Sequence, residues 1–376
     1  MGKRELVLIG LFLAVGIVVY QFTAPPPAPG SEGVSVGGIF QKLKREMHGA
    51  RESATADSRQ TLAIDNSVHL VRINFRGAND LTIVGSDRAD ILVEMHVTGR
   101  GYEQAEAKAA ADAARVTLDH TADAVALTTA WPTQRNNSGY VTQGTITVSL
   151  PKRLMVRIEP HAGDLIVQDV AGLEVMGSRG DTRIQRSAGH VVLGHTGGKL
   201  EIDTVPSLKL TSRNSSGSIK HVNGTVTLDV TGGELKLEDI SGPLDIEARN
   251  SDFELDAAKL LKPPFRFNAT GGQLRVRDLR TESRIDGRNV DLDIALAAPA
   301  PVTIYSTGED ITVAAPAGGY TLDAVATEGR LALDDGTLKP AEDGEQRVTG
   351  AVRGGGPALT LRATRGDIRV RKPEMK

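Results

Sequence analysis

The stretch Gly198-Lys199-Leu200-Glu201-Ile202 contains the unit on which the rest of this chain is organised: a glycine, a polar residue, then apolar, polar and apolar residues. The unit returns at residues 233–237, 272–276, 329–333 and 366–370, and with an extra apolar residue at 163–167. Alternation with a period of two is typical of strands that bury one face. The glycine suits a corner, where the backbone needs a positive φ or a close approach.

A second set of alternating apolar pairs lies between these units, for example Leu173/Val175, Val191/Leu193 and Leu208/Leu210. A strand of about five residues and a turn of about four account for the step of about nine residues between pairs. A fixed period over many copies is the signature of a stacked array. We therefore predict an all-β fold, a parallel β-solenoid (β-helix) of about eighteen residues per coil. The alternative is an antiparallel sandwich of short strands.

Composition narrows the function classes. The 376 residues include 41 glycines and only 3% aromatic residues, which suits thin strands and many corners. The net charge of −3 gives no argument for a nucleic-acid partner. Because the chain has no cysteine, disulfides and thiolate metal sites are excluded.

The N-terminus predicts a membrane partner. Residues 6–22 form an apolar run without charges, preceded by Lys3 and Arg4. This pattern favours a single transmembrane signal anchor over residues 1–23, with the N-terminus cytoplasmic and the bulk of the chain periplasmic or extracellular. A cleaved signal peptide and a buried core helix are the alternatives.

Four further segments follow. Residues 24–60 are a Pro/Gly-rich linker with a basic juxtamembrane end. Residues 61–160 are predicted to form an N-terminal cap of the solenoid, containing an alanine-rich helix at 102–115. Residues 161–371 are the repeats, and 372–376 a disordered tail.

These repeats, together with Val71-Arg72-Ile73, the stretch at 81–87 and the alanine-rich insert, resemble the bacterial "putative adhesin" domain family of unknown function. The resemblance covers roughly residues 61–371. It implies a β-solenoid outside a bacterial membrane, in a family without established catalytic residues. The family offers no site motif, so no binding residue is carried over.

Carboxylates are the first candidates for chemistry, because sugar hydrolysis on a β-helix needs a cluster of them. The candidates are Asp164, Asp181, Glu201, Glu234, Asp252 and Asp367. Equivalent positions hold Lys199, Gln273 and Arg330, and this mixture of charges favours solvated positions over an active site. We predict no catalytic residues and no cofactor.

Metal binding is weakly indicated. The pairs Gly197-Gly198, Gly232-Gly233 and Gly271-Gly272 lack the third glycine and the aspartate of a calcium-binding nonapeptide. His190 and His195 are five residues apart, but without a third ligand they favour solvated turns. We predict no metal site.

Two arginine-rich stretches give the one candidate binding surface. Alternate arginines on a strand face outward and suit an anionic polymer. The predicted polyanion-binding face consists of Arg275, Arg277, Arg280, Arg362, Arg369 and Arg371. Interleaved acidic residues leave a solvated mixed face as the alternative.

The sequence as a whole therefore predicts a non-catalytic, adhesin-like binding or scaffold module at the cell envelope. Its partner would be an envelope polysaccharide or another envelope protein. A protein-interaction component of an envelope-stress or membrane sensory system is the alternative, and a carbohydrate-active enzyme is a minority alternative.

Overall fold

The computed structural model describes residues 12, 15–16, 52–75, 79–121, 123–132, 139–260, 262–334, 338 and 346–373. Contacts divide the chain into two compact units. The smaller contains residues 98–113 and 132–142 together with the N-terminal residues up to Thr55, and the larger contains the rest. The predicted division at residues 61 and 161 remains a prediction.

One helix, α1 (Gln104–Asp112), is present in the described ranges after residue 52. It lies within the alanine-rich stretch predicted to be helical, and Ala107, Ala110 and Ala111 are its buried residues. The chain forms nine strands up to the start of the repeats: β1 (Glu52–Ala63), β2 (Leu70–Asn74), β3 (Asn79–Ser86), β4 (Asp90–Gly101), β5 (Arg115–His120), β6 (Ala124–Ala130), β7 (Tyr140–Pro151), β8 (Met155–Ile158) and β9 (His161–Ala162).

The repeat region begins with short strands that alternate between two corners: β10 (Leu165–Gln168), β11 (Gly172–Arg179), β12 (Thr182–Gln185), β13 (Val191–Thr196), β14 (Lys199–Val205), β15 (Leu208–Arg213) and β16 (Ser216–Val222). Four strands of 13 to 15 residues then run through a corner: β17 (Val226–Ile240), β18 (Leu244–Asp256), β19 (Phe265–Leu279) and β20 (Ser283–Leu296).

Seven strands complete the chain: β21 (Val302–Thr307), β22 (Ile311–Ala314), β23 (Tyr320–Thr327), β24 (Leu331–Leu333), β25 (Gln346–Val352), β26 (Ala358–Thr364) and β27 (Ile368–Arg371). The 27 strands found in the described ranges belong to one hydrogen-bonded sheet.

Parallel pairing within the larger unit runs along two series of strands, which we call ladder 1 and ladder 2. Ladder 1 runs β6–β2–β8–β11–β13–β15 and continues through the first halves of β17 to β20 to β21. Ladder 2 runs β7–β3–β10–β12–β14–β16 and continues through the second halves of β17 to β20 to β22. We call each strand position along a ladder a rung.

The alternating apolar residues are buried on both ladders. Leu165, Ile202 and Leu237 of ladder 2 are 0% exposed, and Leu173 and Val191 of ladder 1 are equally inaccessible. Each such side chain stabilises the fold by roughly 1.5–3 kcal/mol relative to its exposed state. The period-two pattern in the sequence therefore identifies the core correctly.

The last two strands do not follow chain order. β26 pairs with both β21 and β23, and β27 pairs with both β22 and β24. The chain leaves one rung open after β21 and β22, makes the next rung with β23 and β24, and returns at its C-terminal end to fill the gap.

The predicted fold class is wrong. The chain is all-β, but the sheet is mixed and not a clear parallel solenoid, since β5 pairs antiparallel with β6 and β25 antiparallel with β23. Strand β25 itself lies within residues 336–356, a stretch rich in Gly, Asp, Glu and Pro that the sequence indicates to be a long loop. The antiparallel sandwich fails as well, because parallel pairs predominate.

The predicted transmembrane helix and single-pass localisation are also contradicted. Among the described residues, no helix combines the length and apolar character needed to cross a bilayer. Most of the predicted anchor over residues 6–22 lies outside the described residues, which include only Phe12, Val15 and Gly16 from it.

Candidate functional site

The carboxylates that follow the corner glycines are structural. Asp164 accepts a hydrogen bond from the backbone N–H of Asp181 at 3.0 Å, and Asp181 accepts one from the N–H of Lys199 at 2.8 Å. Asp367 likewise accepts one from the N–H of Arg330, at 2.8 Å. Each carboxylate thus binds a backbone donor at the corner of the next rung, where the strand ladder leaves that donor unpaired.

The remaining predicted carboxylates do not converge with these into a cleft. Glu201 pairs with Arg183 at 2.9 Å, and Glu234 and Asp252 lie exposed on neighbouring rungs. Within the described residues, no group of three or more histidine and carboxylate side chains is placed to hold a metal ion.

The histidines considered in the sequence occupy different environments. His190 is exposed, whereas His195 is 2% exposed. The Nε2–H of His195 donates to the carbonyl oxygen of Gly180 at 3.0 Å, and Nδ1 lies 2.7 Å from the hydroxyl of Ser215. Burial lowers the pKa of His195. A serine and a histidine in contact suggest a nucleophile, but Ser215 is 0% exposed and no substrate can reach it.

The six predicted polyanion-binding arginines lie on different surfaces. Arg275, Arg277, Arg369 and Arg371 lie on ladder 2, whereas Arg362 lies on ladder 1. Five of the six already have carboxylate partners: Arg275 and Arg371 with Asp293, Arg277 with Glu254, Arg362 with Asp323, and Arg369 with Asp334. Arg280 is exposed, and none of the described carboxylates lies within ion-pairing distance of it.

A second set of arginines belongs to a repeated sequence pattern at the corners that follow the strands of ladder 1. The last two residues before each corner alternate between Arg-Asn and Thr-Gly along seven rungs. The pairs are Thr196-Gly197, Arg213-Asn214, Thr231-Gly232, Arg249-Asn250, Thr270-Gly271, Arg288-Asn289 and Thr307-Gly308.

The corner residues explain the alternation. Asn214, Asn250 and Asn289 have φ values of 51°, 49° and 52°, a left-handed conformation that asparagine tolerates. The side-chain oxygen of Asn214 lies only 2.5 Å from the position that a Cβ on Gly232 would occupy. Asn250 covers Gly271 and Asn289 covers Gly308 in the same way. An asparagine at one corner therefore leaves little room for a side chain at the next, where glycine fits without a rearrangement.

Because the arginines precede the asparagines, they recur on alternate rungs. The register pairs Arg213 with Thr231, Thr231 with Arg249, Arg249 with Thr270 and Thr270 with Arg288. We call Arg213, Thr231, Arg249, Thr270, Arg288 and Thr307 the Arg/Thr row. Its arginines are exposed, and none of the described residues forms an ion pair with Arg213, Arg249 or Arg288. Alternate rungs are about 9.6 Å apart, since neighbouring strands lie about 4.8 Å apart.

A second row runs beside the first, two residues earlier on the same strands. Thr211, Asp229, Glu247 and Asn268 occupy consecutive rungs. We call these four the acceptor row. Asp229 and Glu247 are exposed and, like the arginines beside them, have no ion-pair partner among the described residues.

The acceptor row and the part of the Arg/Thr row from Arg213 to Thr270 line a polar cleft of about 310 Å³. Farther along the line of the acceptor row lie Asp286 and Tyr305, and the guanidinium of Arg284 lies 5.1 Å from the centre of the Tyr305 ring. Tyr305 is 39% exposed, which is unusual for a large aromatic residue on this sheet. Cations, anions and an aromatic ring thus face solvent on one side of ladder 1, without being paired to one another inside the cleft.

Comparison with known proteins adds little. A putative cell adhesion protein from Clostridium sporogenes is 11% identical over 85% of this chain and 100% of its own, with a TM-score of 0.20. A putative adhesin from Parabacteroides merdae is 10% identical over 84% and 95%, with a TM-score of 0.24. Scores this low carry no argument about fold or function. No family model and no curated protein matches the chain.

Proposed function

We propose that this protein is a non-catalytic, adhesin-like binding module that holds an extended anionic polymer along the outer side of ladder 1. The observation that carries the proposal is the Arg/Thr row, in which three exposed arginines that form no ion pair with any described residue recur at a constant interval. A guanidinium without an internal carboxylate is available to an anionic ligand, which it binds through up to five N–H donors.

A comparison of the two ladders supports the choice of surface. On ladder 2 the outward charges neutralise one another across rungs, as in Arg183–Glu201 and Lys220–Glu238. A ligand there would first have to displace a carboxylate. The face predicted from the sequence remains part of the proposal, with Arg280 as its available cation. Its other five arginines already pair with carboxylates, which a ligand would have to displace.

A binding function without chemistry is supported by the uses of the polar groups. Asp181 binds a backbone donor, Glu201 binds Arg183, and the one serine–histidine contact described above is buried. The alternative of a carbohydrate-active enzyme needs two carboxyl groups that flank a scissile bond. Asp229 and Glu247 lie on neighbouring rungs of one face of the sheet, not on opposite sides of a bound sugar.

The test is retention of the purified chain on immobilised dextran sulfate, with uncharged dextran as the control polymer, over a series of salt concentrations. We expect retention on dextran sulfate alone, and weakening as salt rises, because contacts of this kind are screened. The variant R213Q/R249Q/R288Q should lose at least about tenfold in affinity, equivalent to about 1.4 kcal/mol.

The matched variant is R275Q/R277Q/R369Q, which removes the same number of charges from arginines of ladder 2 that already have carboxylate partners. It should bind like the wild type. Equal losses in both variants would point to net charge alone, and loss in the second variant only would move the binding surface to ladder 2. No retention of the wild type at low salt would contradict the proposed function.

A further inference from the structure

We infer that the polymer bound along ladder 1 is an acidic polysaccharide that carries its anionic group on alternate sugars. The inference rests on the proposed binding function and adds the chemical class and the repeat of the ligand. It is drawn from the Arg/Thr row and the acceptor row taken together.

The acceptor row decides the chemical class. Ionised Asp229 and Glu247 accept hydrogen bonds and cannot donate them, whereas Arg213 and Arg249 donate and cannot accept. A ligand that satisfies both kinds of group must carry donors as well as acceptors. Hydroxyl groups do so, and a sugar chain presents several on every ring.

Polyanions without hydroxyl groups fit this cleft poorly. The phosphates of a polyphosphate would pair with the arginines but would meet Asp229 and Glu247 at close range, and juxtaposed like charges oppose binding. The same two carboxylates would accept hydrogen bonds from sugar hydroxyls. Asn268, on the next rung, has both a donor and an acceptor for the same purpose.

The repeated sequence pattern at the corners sets the repeat. Neighbouring rungs are about 4.8 Å apart, which is close to the length that one sugar ring adds to an extended polysaccharide. A chain lying across the rungs therefore places one sugar on each. Arginines stand at Arg213, Arg249 and Arg288, with Thr231 and Thr270 on the rungs between them. An anionic group on every second sugar matches this spacing, and the uncharged sugars lie beside threonine hydroxyls.

Tyr305 provides a place for the chain to continue. It lies two rungs beyond Asn268 in the line of the acceptor row, where its exposed ring offers an apolar contact for a sugar. Arg284, which contacts the Tyr305 ring, is itself held by Asp286 at 2.8 Å.

The experiment compares four polymers on the purified full-length chain by isothermal titration or biolayer interferometry. Hyaluronan carries a carboxylate on alternate sugars, polygalacturonate carries one on every sugar, polyphosphate has no hydroxyl groups and dextran has no charge. At equal concentrations of charge, hyaluronan should bind more tightly than polygalacturonate or polyphosphate, and dextran should bind weakest.

The decisive variant is D229N/E247Q, because two explanations predict opposite signs for it. Because ionised acceptors bind sugar hydroxyls more strongly than amides do, replacing both carboxylates should weaken hyaluronan binding about tenfold. As a merely repulsive pair, their loss should strengthen binding of hyaluronan and polyphosphate alike. Both residues are exposed, so the variant should unfold at the wild-type temperature, which a thermal melt checks.

The outcomes distinguish the inference about the ligand from the proposed binding function. Tighter binding of both polymers by D229N/E247Q, or equal affinities for hyaluronan and polygalacturonate, would overturn the inference and leave the proposed function standing. Failure of all three anionic polymers to bind the wild type would overturn the proposed function itself.

Discussion

Arg186 donates to both carboxylate oxygens of Asp169, at 2.8 and 2.7 Å, across two successive corners of the sheet. Asp169 and Arg186 both have a positive φ, of 58° and 55° respectively. The series continues along the same corners, because His221 lies between Asp203, at 2.7 Å, and Asp239, at 3.2 Å. Acidic residues therefore alternate with Arg186 and His221 along these corners.

The first prediction concerns this pair. The hydrogen bond from Arg186 lowers the pKa of Asp169. A lowered pKa contributes stability above the unfolded value of about 3.9, and this stability is lost as pH falls through the folded pKa. R186Q should therefore destabilise the fold at neutral pH, by less than about 1 kcal/mol because the pair is substantially exposed. The difference from wild type should vanish near pH 2.

Urea unfolding at neutral and acidic pH measures this difference. R213Q removes an arginine without an ion pair and should change stability by no more than about 0.5 kcal/mol. A loss in R186Q that stays the same at both pH values would mean that the ion pair is not its cause.

The second prediction concerns His195. Its pKa is lowered by burial, so below about pH 6.5 the unfolded chain binds a proton that the folded chain does not. Stability should fall as pH drops from about 6.5 toward the folded pKa, with a slope of at most about 1.4 kcal/mol per pH unit from this group. Asp181 opposes the shift by attracting the proton, which limits the effect.

Chemical unfolding of H195N at pH values from about 5 to 7.5 should show a shallower dependence than wild type, although the variant is less stable throughout. H190Q changes an exposed histidine and should keep the wild-type slope. Equal slopes for wild type and H195N would contradict the prediction.

The third prediction concerns a corner glycine. Gly272 has a φ of 101°, and a Cβ there would collide with the backbone of Ser251 on the preceding rung. G272A should therefore cost at least about 1–3 kcal/mol in the free energy of unfolding. Gly177 has no atom near its Cβ position, so G177A is the matched control. Its free energy of unfolding should stay within about 0.5 kcal/mol of the wild-type value.

The fourth prediction separates structural from solvated carboxylates. D181A removes the acceptor for the N–H of Lys199 and should cost about 0.5–1.5 kcal/mol. D252A alters an exposed carboxylate at the corresponding position without a hydrogen-bond partner among the described residues, and it should be near neutral. Thermal melts of the two variants distinguish them. If D252A were the more damaging, the assignment of corner carboxylates to backbone donors would be wrong.

Local pattern was sufficient to predict the strands, their buried faces and the helix, although the predicted fold class was wrong. The alternation at Leu200 and Ile202 identified strands and their buried faces, and the alanine-rich stretch identified α1. The step of about eighteen residues matches paired side chains such as Arg183 and Glu201, which are 18 residues apart. These features depend on neighbouring residues or on one repeated interval, and both are visible in a single sequence.

Chain order at the C-terminal end was not predictable in the same way. Nothing in residues 358–371 indicates that their strands fill a rung left open between β21 and β23, because that choice depends on pairing across the whole array. The antiparallel strand β25 was missed because Gly350 and the surrounding glycines resemble a loop.

The candidate site was missed for a different reason. Clusters of arginine in the sequence drew attention to Arg275 and Arg369, whose charges are neutralised by neighbours on adjacent rungs. Arg213, Arg249 and Arg288 are isolated in the sequence and meet only through register. The alternation of Arg-Asn with Thr-Gly was the available signal, and it requires comparison of every second repeat.

The covering of Gly232 by Asn214 has a consequence for how such a protein grows. Excision or duplication of a single rung would set one asparagine directly over another, and at Gly232 the oxygen of Asn214 lies only 2.5 Å from the Cβ position. We therefore expect this region to lengthen or shorten by two rungs at a time. The inherited unit is then a double repeat that contains one arginine rung and one threonine rung.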